Sequence, residues 1–157
     1  MNTVDNTARA RLLTVPGMQK VPTPRLDLFV LRGFLEPALC ESLIDQIEAN
    51  HRPSTIADAN GDPAFRTSST CDLDPAAPGV AALEARLAQI SGIDPRLGEP
   101  LQGQRYEVGQ EFKAHTDYFE PASDDYVRYC SETGQRTWTF MVYLNAVAAG
   151  GATRFKL

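Results

Sequence analysis

Apolar residues recur along this chain with two different periods, and the periods separate its helices from its strands. Leu35, Leu39, Leu43, Ile44 and Ile47 fall at three- and four-residue steps behind Pro37. A first-turn proline is tolerated there, so the pattern predicts an amphipathic helix over 37–50. Val80, Leu83, Leu87 and Ile90 repeat the pattern between Pro78 and Gly92, which are placed to open and close a second helix. Shorter runs over 25–30 and 65–73 suit strands. Beyond Leu101 the chain reads as β, with strand candidates over 101–108, 113–119 and 137–145 separated by Gly109-Gln110 and by a polar segment over 120–135. A stretch rich in Pro, Gly, Asp and Asn over 52–63 predicts a loop. Residues 1–24 end in Val-Pro-Thr-Pro and hold no sustained period, so they are expected to form an arm with little structure, ahead of one domain over 25–157.

Helices first and strands afterwards favour an α+β fold, in which helices buttress a mostly antiparallel sheet or barrel. Residues 150–157 read as a turn and the start of a further strand. The sheet is therefore expected to be incomplete at that end, with an open edge able to pair with a second copy or another strand.

Composition narrows the class. The chain has 157 residues, 43% hydrophobic and 22% charged, which suits a single soluble domain able to bury a core of its own. Its 20 acidic residues outnumber 15 basic ones, for a net charge of −5, and no Lys/Arg block overrides that balance, so nucleic acid is not expected as a ligand. No run approaches the roughly 20 apolar residues of a membrane span, and the opening 20 residues lack the apolar core of a signal peptide. Cys40, Cys71 and Cys130 are odd in number and widely spaced, which suggests neither a disulfide framework nor a zinc site. A cytoplasmic setting is the expectation.

Chemistry concentrates on few residues, since His51 and His115 are the two histidines. In a strand, His115 and Asp117 would point to one face about 6.6 Å apart along the chain, so that imidazole and carboxylate could converge on one ion. One His and one carboxylate are two thirds of the facial triad that holds non-haem Fe(II). His51, beside Arg52-Pro53, reads as a helix-end histidine. Gly150-Gly151 reads as a turn, because no helix start or lysine follows as a P-loop requires. Asp124-Asp125 reads as a solvated loop. Alternation from Thr137 places Thr137, Thr139, Met141 and Tyr143 on one face and Trp138, Phe140, Val142 and Leu144 on the other, one face packing and the other free to line a pocket.

Three blocks carry a family resemblance: Tyr106-Glu107-Val108-Gly109-Gln110-Glu111-Phe112-Lys113-Ala114-His115-Thr116-Asp117-Tyr118-Phe119, then Gly134-Gln135-Arg136-Thr137-Trp138-Thr139-Phe140-Met141-Val142-Tyr143-Leu144-Asn145, then Gly150-Gly151-Ala152-Thr153-Arg154-Phe155. In order and spacing they closely resemble the prolyl 4-hydroxylase α-subunit-like family of Fe(II)/2-oxoglutarate dioxygenases. Arg66-Thr67-Ser68-Ser69 resembles the N-terminal half of the same family, so the likeness spans most of 25–157, most densely 101–157. The resemblance implies a double-stranded β-helix (jelly-roll-like) core, with His115 and Asp117 as iron ligands. It implies that Tyr106 reaches the 2-oxoglutarate carboxylate, with Tyr143 a further candidate for that pocket, and that Arg136 lies near the substrate mouth. It also implies Fe(II) as cofactor, 2-oxoglutarate as co-substrate and ascorbate as reductant.

In that family the second iron-binding histidine and the basic partner of the distal 2-oxoglutarate carboxylate lie several tens of residues beyond the Thr-Arg-Phe segment. The sequence thus reads as C-terminally truncated, expected to bind iron weakly and turn over little. The function it implies is hydroxylation of an unactivated C–H bond, with peptidyl proline as the leading substrate and a free amino acid or other small molecule as alternatives. A catalytically inactive β-helix remnant that binds a partner is the second reading. A cupin-like metal protein is the third, sharing the barrel without requiring Tyr106 or the Gly-Gln-Arg block.

Overall fold

The computed structural model describes residues 3–56 and 62–156. Residues 57–61 of the loop expected over 52–63 lie outside that set. The chain opens with helix α1 (Thr3–Leu12), strand β1 (Gln19–Lys20) and strand β2 (Phe29–Val30), followed by α2 (Pro37–Asn50), β3 (Arg52–Pro53) and β4 (Ser69–Asp72). Helix α3 (Pro78–Ser91), a single 3-10 turn (Pro95–Leu97), β5 (Gln102–Arg105) and α4 (Asp124–Cys130) complete the elements.

Both helices expected from the apolar period are present. Pro37 occupies the first turn of α2 without loss, because the N–H it lacks would have had no intrahelical partner. Pro78 does the same in α3, and Gly92 ends that helix at φ 71°, its N–H bonded to the Ala88 carbonyl at 2.8 Å. Only glycine adopts that left-handed backbone without a side-chain penalty.

The apolar face of α2 meets the central sheet, and α3 packs against α2. Leu43 and Ile47 of α2, Val80 and Leu83 of α3, Cys71 of β4 and the adjacent Leu73 form the buried core, with Leu101, Val142 and Leu144 packed against it. Strand β4 lies between β3 and β5, and both pairings are antiparallel, with Arg52 opposite Thr70 and Cys71 opposite Gly103. Gly103 is required by close approach rather than by conformation: a Cβ there would lie 2.2 Å from Ile47 Cγ1. Edge strand β3 ends in Pro53, which has no N–H to offer a further strand.

A short extension of this sheet delivers the candidate site. Arg66 and Phe112 form an isolated antiparallel bridge, flanked by Lys113 N–H to Phe65 O and Thr67 N–H to Glu111 O, both 2.9 Å. Residues 111–113 are thereby laid against 65–67.

The structure departs from the sequence expectations in several places. The N-terminal segment expected to have little structure forms α1, which packs on α3 with Ala8 and Leu12 buried, while Arg11 Nε donates to Gln89 O at 2.9 Å. The strand expected over 25–30 shrinks to β2, paired with β1. Segments 113–119 and 137–145 form no strand, and α4 occupies part of the polar segment, capped by the Ser123 side chain, which accepts from Tyr126 N–H. The fold is α+β as expected, with small antiparallel sheets of two and three strands; these do not display a double-stranded β-helix.

Candidate metal centre

His115 follows the Arg66–Phe112 bridge by three residues, and its ring is held on two sides. Nδ1 lies 2.7 Å from the Lys113 carbonyl oxygen. A carbonyl can only accept, so Nδ1 carries a proton, and in the neutral ring the lone pair is left on Nε2. The imidazole stacks on Phe112 with centroids 3.6 Å apart and planes inclined by 17°. Over that same phenyl ring lies the Arg66 guanidinium, 4.6 Å from its centroid.

Asp117 completes the pair. Thr139 Oγ1 donates to its Oδ2 at 2.6 Å, while Oδ1 stands 3.6 Å from His115 Nε2. Each side chain is therefore tied at its far atom and presents its near one. Two donor atoms bound to one first-row metal ion at about 2.1 Å each stand roughly 3–4 Å apart, so this pair fits two positions on a single ion. The imidazole N–H bonded to a carbonyl is the arrangement that orients metal-ligating histidines. Among the described residues no group of three or more His, Cys, Asp or Glu side chains gathers here or elsewhere.

His115 and Asp117 thus approach each other on an irregular segment, not on the expected strand. Alternation over 137–145 nevertheless sorts side chains as expected: Val142 and Leu144 face the core and Trp138 packs on Phe29 (centroids 6.1 Å), while Thr139, Met141 and Tyr143 face the other way. Phe140 is the exception on the packing face, 38% exposed. On the polar face the Thr153 hydroxyl donates to Met141 Sδ at 3.2 Å, leaving the Tyr143 phenol as donor in its 2.7 Å contact with Thr153 Oγ1. Tyr106 is half exposed and lies within electrostatic range of Arg66.

Arg136 is paired with the Glu99 carboxylate through Nε and through Nη2 (2.6 Å), and lies over Phe119 at 4.4 Å. The Glu99 hydrogen bonds, reinforced by the negative charges of Glu99 and Asp117, raise its pKa further. Next to it, Gln135 grips the Phe119 backbone, accepting from its N–H at 3.0 Å and donating to its carbonyl at 2.8 Å. His51 sits at the end of α2, where the backbone leaves the helix, as expected.

Sequence reasoning missed Phe112, Thr139 and Gln135 as supports. Their signals were present: an aromatic three residues before His115, a hydroxyl on the polar face of 137–145, and an amide beside Arg136.

Residues 101–157 match the 2OG-Fe(II) oxygenase superfamily, and over most of its length the chain is similar to prolyl 4-hydroxylases. The chain is 34% identical to "Prolyl 4-hydroxylase 2" of Arabidopsis thaliana over 145 residues, covering 89% of this chain and 47% of that protein. It is 32% identical to "Prolyl 4-hydroxylase 13" of the same plant over 133 residues, 82% of this chain and 47% of the relative. With "Probable prolyl 4-hydroxylase 9" it shares 32% over 131 residues, 78% and 44%. The chain thus spans just under half the length of these relatives. No solved structure matches it.

Proposed function

We propose that this chain carries the His-x-Asp half of an Fe(II) centre in a 2-oxoglutarate-dependent dioxygenase that hydroxylates peptidyl proline. The observation that carries the reading is the approach of His115 Nε2 to Asp117 Oδ1, 3.6 Å apart, with the opposite atom of each side chain already engaged. The superfamily match over 101–157 supports the cofactor and co-substrate, and the relatives' names support the substrate. The reading implies a double-stranded β-helix core for the intact site.

Within it, His115 and Asp117 hold the metal. Bound Fe(II) supplies the means to couple O₂ to the oxidation of 2-oxoglutarate to succinate and CO₂, delivering hydroxyl to a substrate C–H bond. Thr139 keeps the Asp117 carboxylate turned toward His115. Tyr106 and Tyr143 are phenol donors for the 2-oxoglutarate carboxylate, and Tyr143 must release Thr153 to serve. Arg136, held by Glu99, borders the substrate mouth. Ascorbate is the reductant that keeps iron in the ferrous state.

The test is Fe(II) titration of the protein and of its His115→Ala and Asp117→Ala variants, with 2-oxoglutarate-dependent succinate release on a proline-rich peptide as the second readout. Weak Fe(II) binding that either substitution abolishes is the expected result. Fe(II) binding or succinate release that survives both substitutions, or the absence of any Fe(II) binding, overturns the assignment.

A further inference from the structure

Arg66 lies well before the metal pair in sequence and touches neither member, yet the structure ties it to His115 through one ring. Four hydrogen bonds lock its guanidinium: Nε to Ser68 Oγ (3.3 Å), Nη1 to Thr55 O (2.9 Å), and Nη2 to Thr70 Oγ1 (3.2 Å) and to Gln104 Oε1 (2.5 Å). These partners come from β4, β5 and the segments beside β3 and β4, so the group is fixed to the sheet. Four of its five N–H donors are spent inside the protein, which leaves little capacity for a carboxylate or phosphate and argues against a ligand-binding role. Burial also draws its pKa below the usual guanidinium value.

What the group does face is Phe112, whose ring receives the guanidinium at 4.6 Å and the His115 imidazole at 3.6 Å. Phe65 meets the same ring edge-on at 5.8 Å, and the Arg66–Phe112 backbone bridge holds the register. Phe112 thus has little freedom to turn, and the imidazole stacked on it inherits that restriction.

We propose that Arg66 and Phe112 are positioning residues for His115: their stack holds the imidazole in the orientation where Nδ1–H meets the Lys113 carbonyl and Nε2 faces Asp117. The consequence for metal affinity rests on the function proposed above, whereas the ring orientation stands without it. Solvent-exposed imidazole chooses its own tautomer, so a ring 35% exposed at its side chain needs such a support to keep one.

The experiment is long-range ¹H–¹⁵N correlation NMR of the histidine side chains, read at about pH 8, where imidazole is neutral. The chain has two histidines, and a His51→Gln variant assigns them. The wild-type protein should show His115 mainly as the Nδ1–H tautomer, with ring protons shifted upfield by Phe112. Phe112→Leu should lower the tautomer ratio about threefold to tenfold, the scale of one stacked aromatic pair, and Arg66→Gln should lower it in the same direction. Phe112→Tyr keeps the ring and should restore the wild-type ratio, which loss of packing alone would not produce.

An Nε2–H tautomer in the wild type, absence of the upfield shift, or an unchanged ratio in folded Phe112→Leu overturns the proposal. Should Phe112→Leu fail to fold, the wild-type spectrum and Arg66→Gln decide it. Fe(II) titration separates the two readings. A stacked Nδ1–H His115 that binds no Fe(II) upholds the positioning and removes the metal assignment. Fe(II) affinity and tautomer ratio both unchanged in folded Phe112→Leu overturn the positioning and leave the metal assignment intact.

Discussion

Replacing Gly103 with alanine should destabilise the protein through a single contact. The added Cβ would stand 2.2 Å from Ile47 Cγ1 and 2.6 Å from Cδ1, where carbon atoms pack at about 3.5–4.0 Å. Helix α2 and strand β5 would have to separate by more than about 1 Å. Ile47 has no easy escape, because a β-branched side chain in a helix is confined to essentially one χ1 well and this one is 6% exposed in the core. Overpacking of this kind costs about 1–3 kcal/mol. Urea unfolding should register it as a midpoint about 1 M lower at unchanged slope, for a slope near 2 kcal/mol/M. Ile47→Ala alone should cost about 2–5 kcal/mol, but it opens space where the new methyl would sit. The double variant should therefore be more stable than the sum of the singles by about 0.5–3 kcal/mol. Additive effects, or Gly103→Ala within about 0.5 kcal/mol of wild type, would refute the close-packing argument.

Two further outcomes follow from the site and the core. Thr139→Val removes the hydroxyl that holds Asp117 Oδ2 and should weaken Fe(II) binding about 10–100-fold while leaving the urea midpoint nearly unchanged; equal affinity by titration would show that Asp117 needs no such tether. Of the three thiols, Cys40 should be alkylated first under native conditions. Cys71 and Cys130 are buried, and burial pushes the Cys71 pKa up so that it stays protonated at neutral pH. Mass-mapped iodoacetamide labelling that modifies Cys71 ahead of Cys40 contradicts the packing.

Elements written in local chemistry were legible in the sequence. Helices α2 and α3 each carry a proline in the first turn and an apolar stripe along one side, and Gly92 stops α3 within its own backbone. Helix α4 carried local signals as well, Ser123 followed by two aspartates in the first turn, and should have been read from them. Helix α1 was hidden because what stabilises it is nonlocal: its buried Ala8 and Leu12 lie against α3, and Arg11 reaches Gln89. Segments 113–119 and 137–145 show the opposite mismatch. Their alternation is real and sorts Val142 and Leu144 inward from Thr139 and Tyr143, yet strand formation needs a partner's hydrogen bonds, which no single segment encodes.

The same division runs through the candidate site. Sequence alone set which groups the candidate site offers, an imidazole and a carboxylate two residues apart, because residue type and spacing are properties of the chain itself. Tertiary structure decided which atoms of those groups are available. The Lys113 carbonyl sets the His115 tautomer, Thr139 turns Asp117, Arg66 and Phe112 hold the imidazole plane, and Glu99 engages Arg136. The reason is geometric: hydrogen bonds and ring stacking act over 3–5 Å between residues that can be tens of positions apart, as Arg66 and His115 are, and only the folded backbone brings them within that range.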